Sequence, residues 1–228
     1  MRAMAGLTYA IGDIHGRLDL LRAAIGAIAA HARGGAHQVI CLGDYVDRGP
    51  ASRGVVETLM TLVANAPWRC LLGNHEDMMA RSLRSHERDE IDRWLRNGGD
   101  ATLDSYRDKV PAAHLEWLES LPLLHRDAHR LYVHAGVAPG APVDLQDKRT
   151  FVWIREAFLT AEASALPCHV VHGHTPFWRM KPDPHLPERL PHRTNLDTGA
   201  YFTGILSVGV FDDAVAGGPL EILSITED

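Results

Sequence analysis

Three short segments of the chain share one plan, an apolar run followed by glycine and then by Asp or Asn. They lie at residues 7–13, 39–44 and 70–74, and their glycines are 31 and 30 positions apart. That spacing is close to the length of a β-α-β unit, and amphipathic stretches at 18–32 and 52–64 supply helices between the strands. The pattern predicts an α/β fold with a mainly parallel sheet.

A polar side chain follows each of these strands at the point where the strand ends. Asp13, Asp44 and Asn74 come directly after the three glycines. In open α/β sheets the loops after the strands collect at one edge, and that edge binds ligands. We therefore expect these side chains to meet in one site, although they are far apart in the sequence.

The rest of the chain divides into a charged helical stretch and a second strand-rich half. Residues 77–121 have a helical pattern interrupted at Asn97-Gly98-Gly99, which favours either a solvated helix face or a cap bordering the site. The arginines of this stretch are Arg81, Arg84, Arg88, Arg93 and Arg96. The second half predicts a strand at 131–134, a helix near 151–163, a strand at 169–171, and closing antiparallel strands within 195–225.

Five motifs at these strand ends carry side chains that bind metal ions. In chain order they are GDIHG from Gly12, GDYVDRG from Gly43, GNHE from Gly73, VHAG from Val133 and GHTP from Gly173. Their carboxylate, amide and imidazole donors suit Mn²⁺, Fe or Zn²⁺ better than calcium or a thiolate site. A carboxylate such as Asp44 has two oxygens and can bridge two ions about 3.5–4 Å apart, which clamp a phosphoryl group.

Each motif alone also has an ordinary structural explanation. An Asp after a strand is usually a turn or N-cap residue, and a single histidine in an apolar run is usually a hydrogen-bonded core residue. The occurrence of all five motifs in order, at strand ends and with a complete ligand set, favours a metal site over these separate explanations.

The order of the motifs resembles the phosphoprotein phosphatase family of the calcineurin-like metallophosphoesterases, from Ile11 to about Gly204. Within that family it is similar to the small bacterial and phage-type serine/threonine phosphatases. Three further segments agree with that branch: Asn97-Gly98-Gly99, Trp153-Ile154-Arg155 and Asp197-Thr198-Gly199-Ala200. The resemblance implies an α/β sandwich of two mixed β-sheets flanked by helices, as a single domain over 1–228 with a helical cap-like insertion at about 77–121.

The resemblance also implies two metal ions and a role for each motif residue. Asp13 and His15 would hold the first ion, and Asp44 would bridge it to the second. The implied ligands together are Asp13, His15, Asp44, Asn74, His134 and His174. The implied catalytic residues are the general acid His75, its orienting partner Asp47, and the phosphate-binding arginines Arg48 and Arg155. Such arginines and cations neutralise charge on a transferring phosphoryl group, and an acid helps a poor leaving group depart.

Several neighbouring residues fit these roles less well. His172 is two positions before His174, and we expect a structural or supporting role for it, while Pro176 replaces a possible further ligand. Glu76 is expected to cap a helix, and Arg149 competes with Arg155 as the phosphate ligand. Tyr201 either lines the site or packs in an ordinary strand. Four histidines in polar segments are expected to be solvated: His125, His129, His185 and His192.

The resemblance favours direct hydrolysis of phosphoserine or phosphothreonine in proteins by a metal-activated water, with Mn²⁺ as the expected ion and no covalent enzyme intermediate. An alternative is a nucleotide phosphohydrolase such as a symmetrical bis(5′-nucleosyl)-tetraphosphatase, which uses closely similar motifs. A third hypothesis is a non-catalytic scaffold, but every expected ligand and the acid His75 are present. The substrate is thus a phosphorylated protein or a small phosphoester.

Composition excludes several other classes of protein. A formal net charge of −6 disfavours general binding to nucleic acid, which needs a positive field. No apolar run approaches the ~18 residues of a membrane span, and the N-terminal apolar run is too short for a signal peptide. Cys41, Cys70 and Cys168 lie in apolar runs, which predicts buried thiols and a cytoplasmic location. The sequence does not indicate an oligomeric state.

Overall fold

The strands predicted at the three Gly-Asp/Asn segments form the centre of the first of two sheets. The computed structural model describes residues 6–85, 87–176 and 186–227. The strands of the first sheet, numbered in chain order, are β1 (Leu7–Ile11), β2 (His37–Cys41), β3 (Trp68–Cys70), β9 (Ile205–Asp212) and β10 (Glu221–Thr226). Their spatial order is β10-β9-β1-β2-β3. Strands β1, β2 and β3 pair in parallel, and β9 runs antiparallel to both of its neighbours, β1 and β10. Four of the five strands therefore run in one direction, which confirms the predicted mainly parallel sheet.

The second sheet comes from the second half of the chain. Its strands are β4 (Leu124–Arg126), β5 (Arg130–Val133), β6 (His169–His172), β7 (Glu188–Arg189) and β8 (Arg193–Asn195). They are arranged as β4-β5-β6-β8-β7, with a parallel centre of β5, β6 and β8 and an antiparallel strand at each edge. Both sheets are therefore mixed, and the predicted closing antiparallel strands are β9 and β10.

The two sheets share an apolar layer because alternate residues of a strand point to opposite faces. Ala10 and Ile40 of the first sheet cluster with Tyr132 and Val171 of the second, and all four side chains are fully buried. The residues next to these four in sequence, of which Tyr9 is one, belong to a second apolar cluster that also includes residues of the helices. This alternation gives the predicted sandwich of two mixed sheets with helices outside.

The helices connect the strands and supply the outer layers. The four longest are α1 (Leu18–Ala32), α2 (Ser52–Asn65), α3 (Asn74–Ser85) and α6 (Ala112–Glu119). Shorter ones are α4 (Arg88–Trp94), α5 (Asp100–Tyr106), α7 (Lys148–Trp153), α8 (Glu156–Leu159) and α9 (Ala200–Thr203). The helices α3 to α6 follow one another between β3 and β4, where the sequence predicts a helical insertion. This segment is called the helical insertion below. No helix among the residues that the structure describes is long and apolar enough to span a bilayer.

Three local predictions are wrong. The helix expected near 151–163 is two short helices, because Ile154 is extended and Arg155 has φ −134° and ψ −98°, which ends α7. Cys168 is exposed, because it precedes β6 at the surface. His125 lies in strand β4 and is half-buried, and His185 lies outside the described residues.

Candidate metal centre

The loops after the strands hold their polar side chains in a strained backbone. Among the described non-glycine residues with positive φ, five belong to the motifs: His15, Asp44, Asp47, Arg48 and His174. L-residues adopt this left-handed conformation only at a cost, and such residues concentrate at functional sites. The loops are therefore shaped to aim these side chains and not to minimise local backbone energy.

Asp44 lies at the centre of the cluster, and its two carboxylate oxygens face different histidines. Its Oδ2 is 3.5 Å from His15 Nε2 and 3.8 Å from His75 Nε2. Its Oδ1 is 3.3 Å from His134 Nε2. Burial opposes ionisation of Asp44, but the surrounding histidines lower its pKa overall. A charged carboxylate with one oxygen in each half of the cluster is the arrangement a bridging ligand needs.

The second half of the cluster brings together the predicted ligands Asn74, His134 and His174. Asn74 Oδ1 is 2.9 Å from His134 Nε2, and the rings of His134 and His174 pack edge to face with centroids 5.0 Å apart. Ligand atoms of Asp44, His134 and His174 all lie within 4.8 Å of one another, as do those of His15, Asp44 and His75. These two groups share Asp44.

The histidines are prepared to present an unprotonated nitrogen. His15 Nδ1 donates to the carbonyl of Val46 at 2.9 Å, and His134 Nδ1 donates to the carbonyl of Leu42 at 3.0 Å. Each bond fixes the tautomer and directs the Nε2 lone pair into the cluster, as in metal-ligating histidines. Burial also lowers the pKa values of His15, His134 and His174, which favours the neutral form that binds a cation.

Asp13 lies slightly apart from these two groups. Its Oδ2 accepts the backbone N–H of His174 at 3.0 Å, and its neighbours include Asp44 and Asp197. Burial first, and then the charges of Asp197 and Asp44, raise the pKa of Asp13. Divalent cations held by this O/N donor set would supply the positive charge that keeps these buried carboxylates ionised.

His75 and Asp47 form a hydrogen-bonded pair beside the cluster. His75 Nδ1 donates to Asp47 Oδ2 at 2.7 Å. Burial lowers the pKa of His75, but the charges of Asp44 and Asp47 and this hydrogen bond raise it overall. Trp94 Nε1 and the Thr102 hydroxyl also donate to Asp47, at 2.9 and 2.8 Å. Asp47 is thus fixed by one residue of α4 and one of α5. Neither residue could be recognised from the sequence as part of the site.

Arg48 is positioned by the same insertion. Its backbone N–H donates to the carbonyl of Gly98 at 3.0 Å. Gly98 has φ +97°, and a Cβ there would lie 2.8 Å from Arg48 Cγ, so only glycine permits this approach. The Arg48 guanidinium reaches His15 Nε2 at 2.9 Å and lies 3.0 Å from His75 Nε2. It also stacks 4.9 Å from the ring centre of Tyr201, which therefore lines the site.

Arg155 contacts the half of the cluster that contains His174. Its Nε donates to His174 Nε2 at 3.0 Å, and the ring of Trp153 packs edge to face on His174 at 5.9 Å. Arg149, the other candidate for the phosphate-binding arginine, lies on the first turn of α7. His172 is buried against Phe158 and does not belong to either ligand group of the described residues.

Glu76 has a larger role than the helix cap expected from the sequence. Its carboxylate accepts the N–H of Gly73 at 3.0 Å, which caps α3, and also the N–H groups of Asp44, Tyr45 and Val46 at 2.9, 2.7 and 3.2 Å. Burial and the Asp44 charge raise the pKa of Glu76 to about 8. One side chain therefore joins the loops after β2 and β3.

Comparison with known proteins identifies the class of this centre. The family model for calcineurin-like phosphoesterases matches residues 7–203. The chain belongs to this family. Membership makes it a metal-dependent phosphoesterase, and the two mixed sheets agree with it.

Relatives of this phosphoesterase carry different substrate names. The asymmetrical bis(5′-nucleosyl)-tetraphosphatase PrpE of Oceanobacillus iheyensis is 25% identical, covering 89% of this chain and 88% of that protein. A symmetrical bis(5′-nucleosyl)-tetraphosphatase of Janthinobacterium sp. is 36% identical over 58% of this chain and 44% of its own length. Serine/threonine-protein phosphatase 2 of Escherichia coli is 34% identical over 42% of this chain and 40% of its own length. The chain spans less than half of the latter two relatives.

Proposed function

We propose that this phosphoesterase hydrolyses bis(5′-nucleosyl) tetraphosphates at a centre of two divalent cations. The observation that carries the dinuclear assignment is the position of Asp44, whose two oxygens face His15 on one side and His134 on the other. The substrate class rests on the tetraphosphatases among its relatives, one of which matches over most of both chains.

In this proposal the ligands divide between the two halves of the cluster. Asp13 and His15 would hold one ion, Asn74, His134 and His174 would hold the other, and Asp44 would be shared between them. Bound there, the cations would supply Lewis acidity and a water of lowered pKa as the nucleophile. Mn²⁺ is the ion we propose, and the donor set also accommodates Fe or Zn²⁺.

The remaining residues handle charge and protons. Arg48 contacts His15 and Arg155 contacts His174, so their guanidinium groups reach both halves of the cluster and can bind phosphoryl oxygens whose charge increases during transfer. His75 is the proton donor to the leaving oxygen through Nε2, because its Nδ1 is held by Asp47. Asp47 keeps the ring in that tautomer and stabilises its charged form.

Phosphoserine and phosphothreonine in proteins form the second candidate substrate class. The order of the motifs and the match to serine/threonine-protein phosphatase 2 favour it. It ranks second because that match covers 42% of the chain, whereas the tetraphosphatase PrpE matches over 89%.

Competing turnover measurements test the proposal. Purified protein loaded with Mn²⁺ is assayed on diadenosine tetraphosphate and on a phosphothreonine peptide, with the bound metal counted by elemental analysis. We expect two metal equivalents and a higher kcat/KM on the dinucleotide. A kcat/KM about a hundredfold higher for the peptide would make phosphoproteins the first candidate substrate class and dinucleotides the second. Products identify the cleavage position, since symmetrical attack gives two ADP and asymmetrical attack gives ATP and AMP.

A further inference from the structure

A cleft of about 650 Å³ opens beside the metal centre, between α3 and α4 on one side and α7 on the other. Its volume lies in the range of ligand-binding pockets and exceeds the needs of a single phosphoryl group. Its apolar lining includes Met78, Trp153 and Ile154. The charged residues around it decide what it can bind.

Basic side chains outnumber acidic ones in this cleft. The basic residues that line it are Arg81, Arg93, Lys148, Arg149 and Arg155, and the acidic ones are Asp77 and Asp147. Asp77 pairs with Arg81 at 3.0 Å and with Lys148, and Arg93 pairs with Glu90, which lies outside the lining. Asp147 is engaged as the N-cap of α7, where it accepts the N–H of Thr150 at 2.8 Å. The cleft therefore presents an excess of positive charge to a ligand.

The cleft is continuous with the ligand cluster. Arg155 lines it and donates to His174, and Trp153 lines it and packs on the same histidine. A substrate whose reacting phosphorus is at the cluster would therefore extend along the cleft. Charges in a cleft of this kind add attraction for an anion that has more than one phosphate.

We propose that this basic cleft binds the phosphates of the substrate that lie beyond the reacting one, and so selects nucleotide polyphosphates over phosphomonoesters. The inference rests on the proposed function, because it assumes a polyphosphate substrate. Arg149 is the residue of choice for a test. It is exposed and lies on the first turn of α7, so its replacement does not disturb the core.

The test compares Arg149→Glu with the unmodified protein on diadenosine tetraphosphate and on p-nitrophenyl phosphate, at fixed free Mn²⁺. Because a charge-assisted contact is replaced by repulsion, we expect kcat/KM for the dinucleotide to fall by about tenfold or more relative to that for the monoester. Arg149→Lys keeps the charge and should recover most of the loss. Arg84→Ala, which removes an arginine paired with Glu119 outside this cleft, is the control.

A second arm separates the cleft from the proposed function. Inorganic tripolyphosphate and orthophosphate are tested as inhibitors of p-nitrophenyl phosphate hydrolysis, again at fixed free Mn²⁺. Arg149→Glu should weaken tripolyphosphate about tenfold and leave orthophosphate nearly unchanged, even if diadenosine tetraphosphate proves to be no substrate. Equal losses for both inhibitors overturn the cleft proposal. It is also overturned if kcat/KM for an acidic phosphothreonine peptide falls more than that for the dinucleotide.

Discussion

The ligand cluster and the helical insertion illustrate two ways of building one site. The cluster consists of loop residues that follow strands, and each carries its chemistry in a short motif. The insertion contributes Trp94, Gly98 and Thr102, none of which binds an ion or a phosphate in our proposal. These three residues fix Asp47 and Arg48 by hydrogen bonds and close packing. The difference teaches that the donors are local in sequence, whereas their orientation is set from a distance.

Substitution of the bridging ligand should have the largest effect. Asp44→Asn removes the negative charge between the two histidine groups, so we expect loss of at least one metal equivalent and a fall in kcat of about 10³-fold or more. Elemental analysis measures the bound metal, and p-nitrophenyl phosphate turnover measures kcat. A variant that keeps two ions would contradict the bridging role.

Loss of the acid should be large only for poor leaving groups. His75→Asn is expected to reduce turnover of a phosphoserine ester by about 10²–10³-fold, because the alkoxide then departs unprotonated. On p-nitrophenyl phosphate the loss should be much smaller, and both metal equivalents should remain. His75 Nε2 is 3.8 Å from Asp44 Oδ2, so a drop in metal content would instead assign His75 as a ligand.

Removal of the support from the insertion should have an intermediate effect. Trp94→Phe keeps the ring in the core but deletes the N–H that bonds Asp47, so we expect about a tenfold loss on poor leaving groups. Bound metal should not change. The losses of turnover for Trp94→Phe are compared with those for His75→Asn on the same substrates. Both variants should lose most activity on the poorest leaving groups. A loss that is equal on all substrates would indicate a general folding defect and would break the proposed link to the acid.

The outer face of the insertion should contribute least. Arg84 and Glu119 form an exposed ion pair, with Nη2 2.8 Å from Oε2. Exposed pairs add little because water screens them. Arg84→Ala should change kcat/KM by less than about twofold on every substrate. A larger change would show that the outer face also acts on the site.

Much of the fold and of the ligand cluster could be predicted because their signals are local. The Gly-Asp/Asn pattern predicted β1, β2 and β3, and the same motifs predicted residues that the structure brings together around Asp44. Trp94 and Thr102 could not be predicted, since they meet Asp47 only through the packing of α4 and α5. The charged stretch was ambiguous for a similar reason, because helical spacing alone did not show that Arg81 and Arg93 line the basic cleft while Arg84 pairs with Glu119 outside it.

Helix α4 joins two of these functions in adjacent residues. Arg93 lines the basic cleft and Trp94 donates to Asp47. Any attempt to graft the recognition surface of a relative onto this enzyme would therefore replace the support of the proton donor as well. Engineering of selectivity should begin at Arg149 on α7, because a substitution there leaves the support of the proposed acid His75 unchanged.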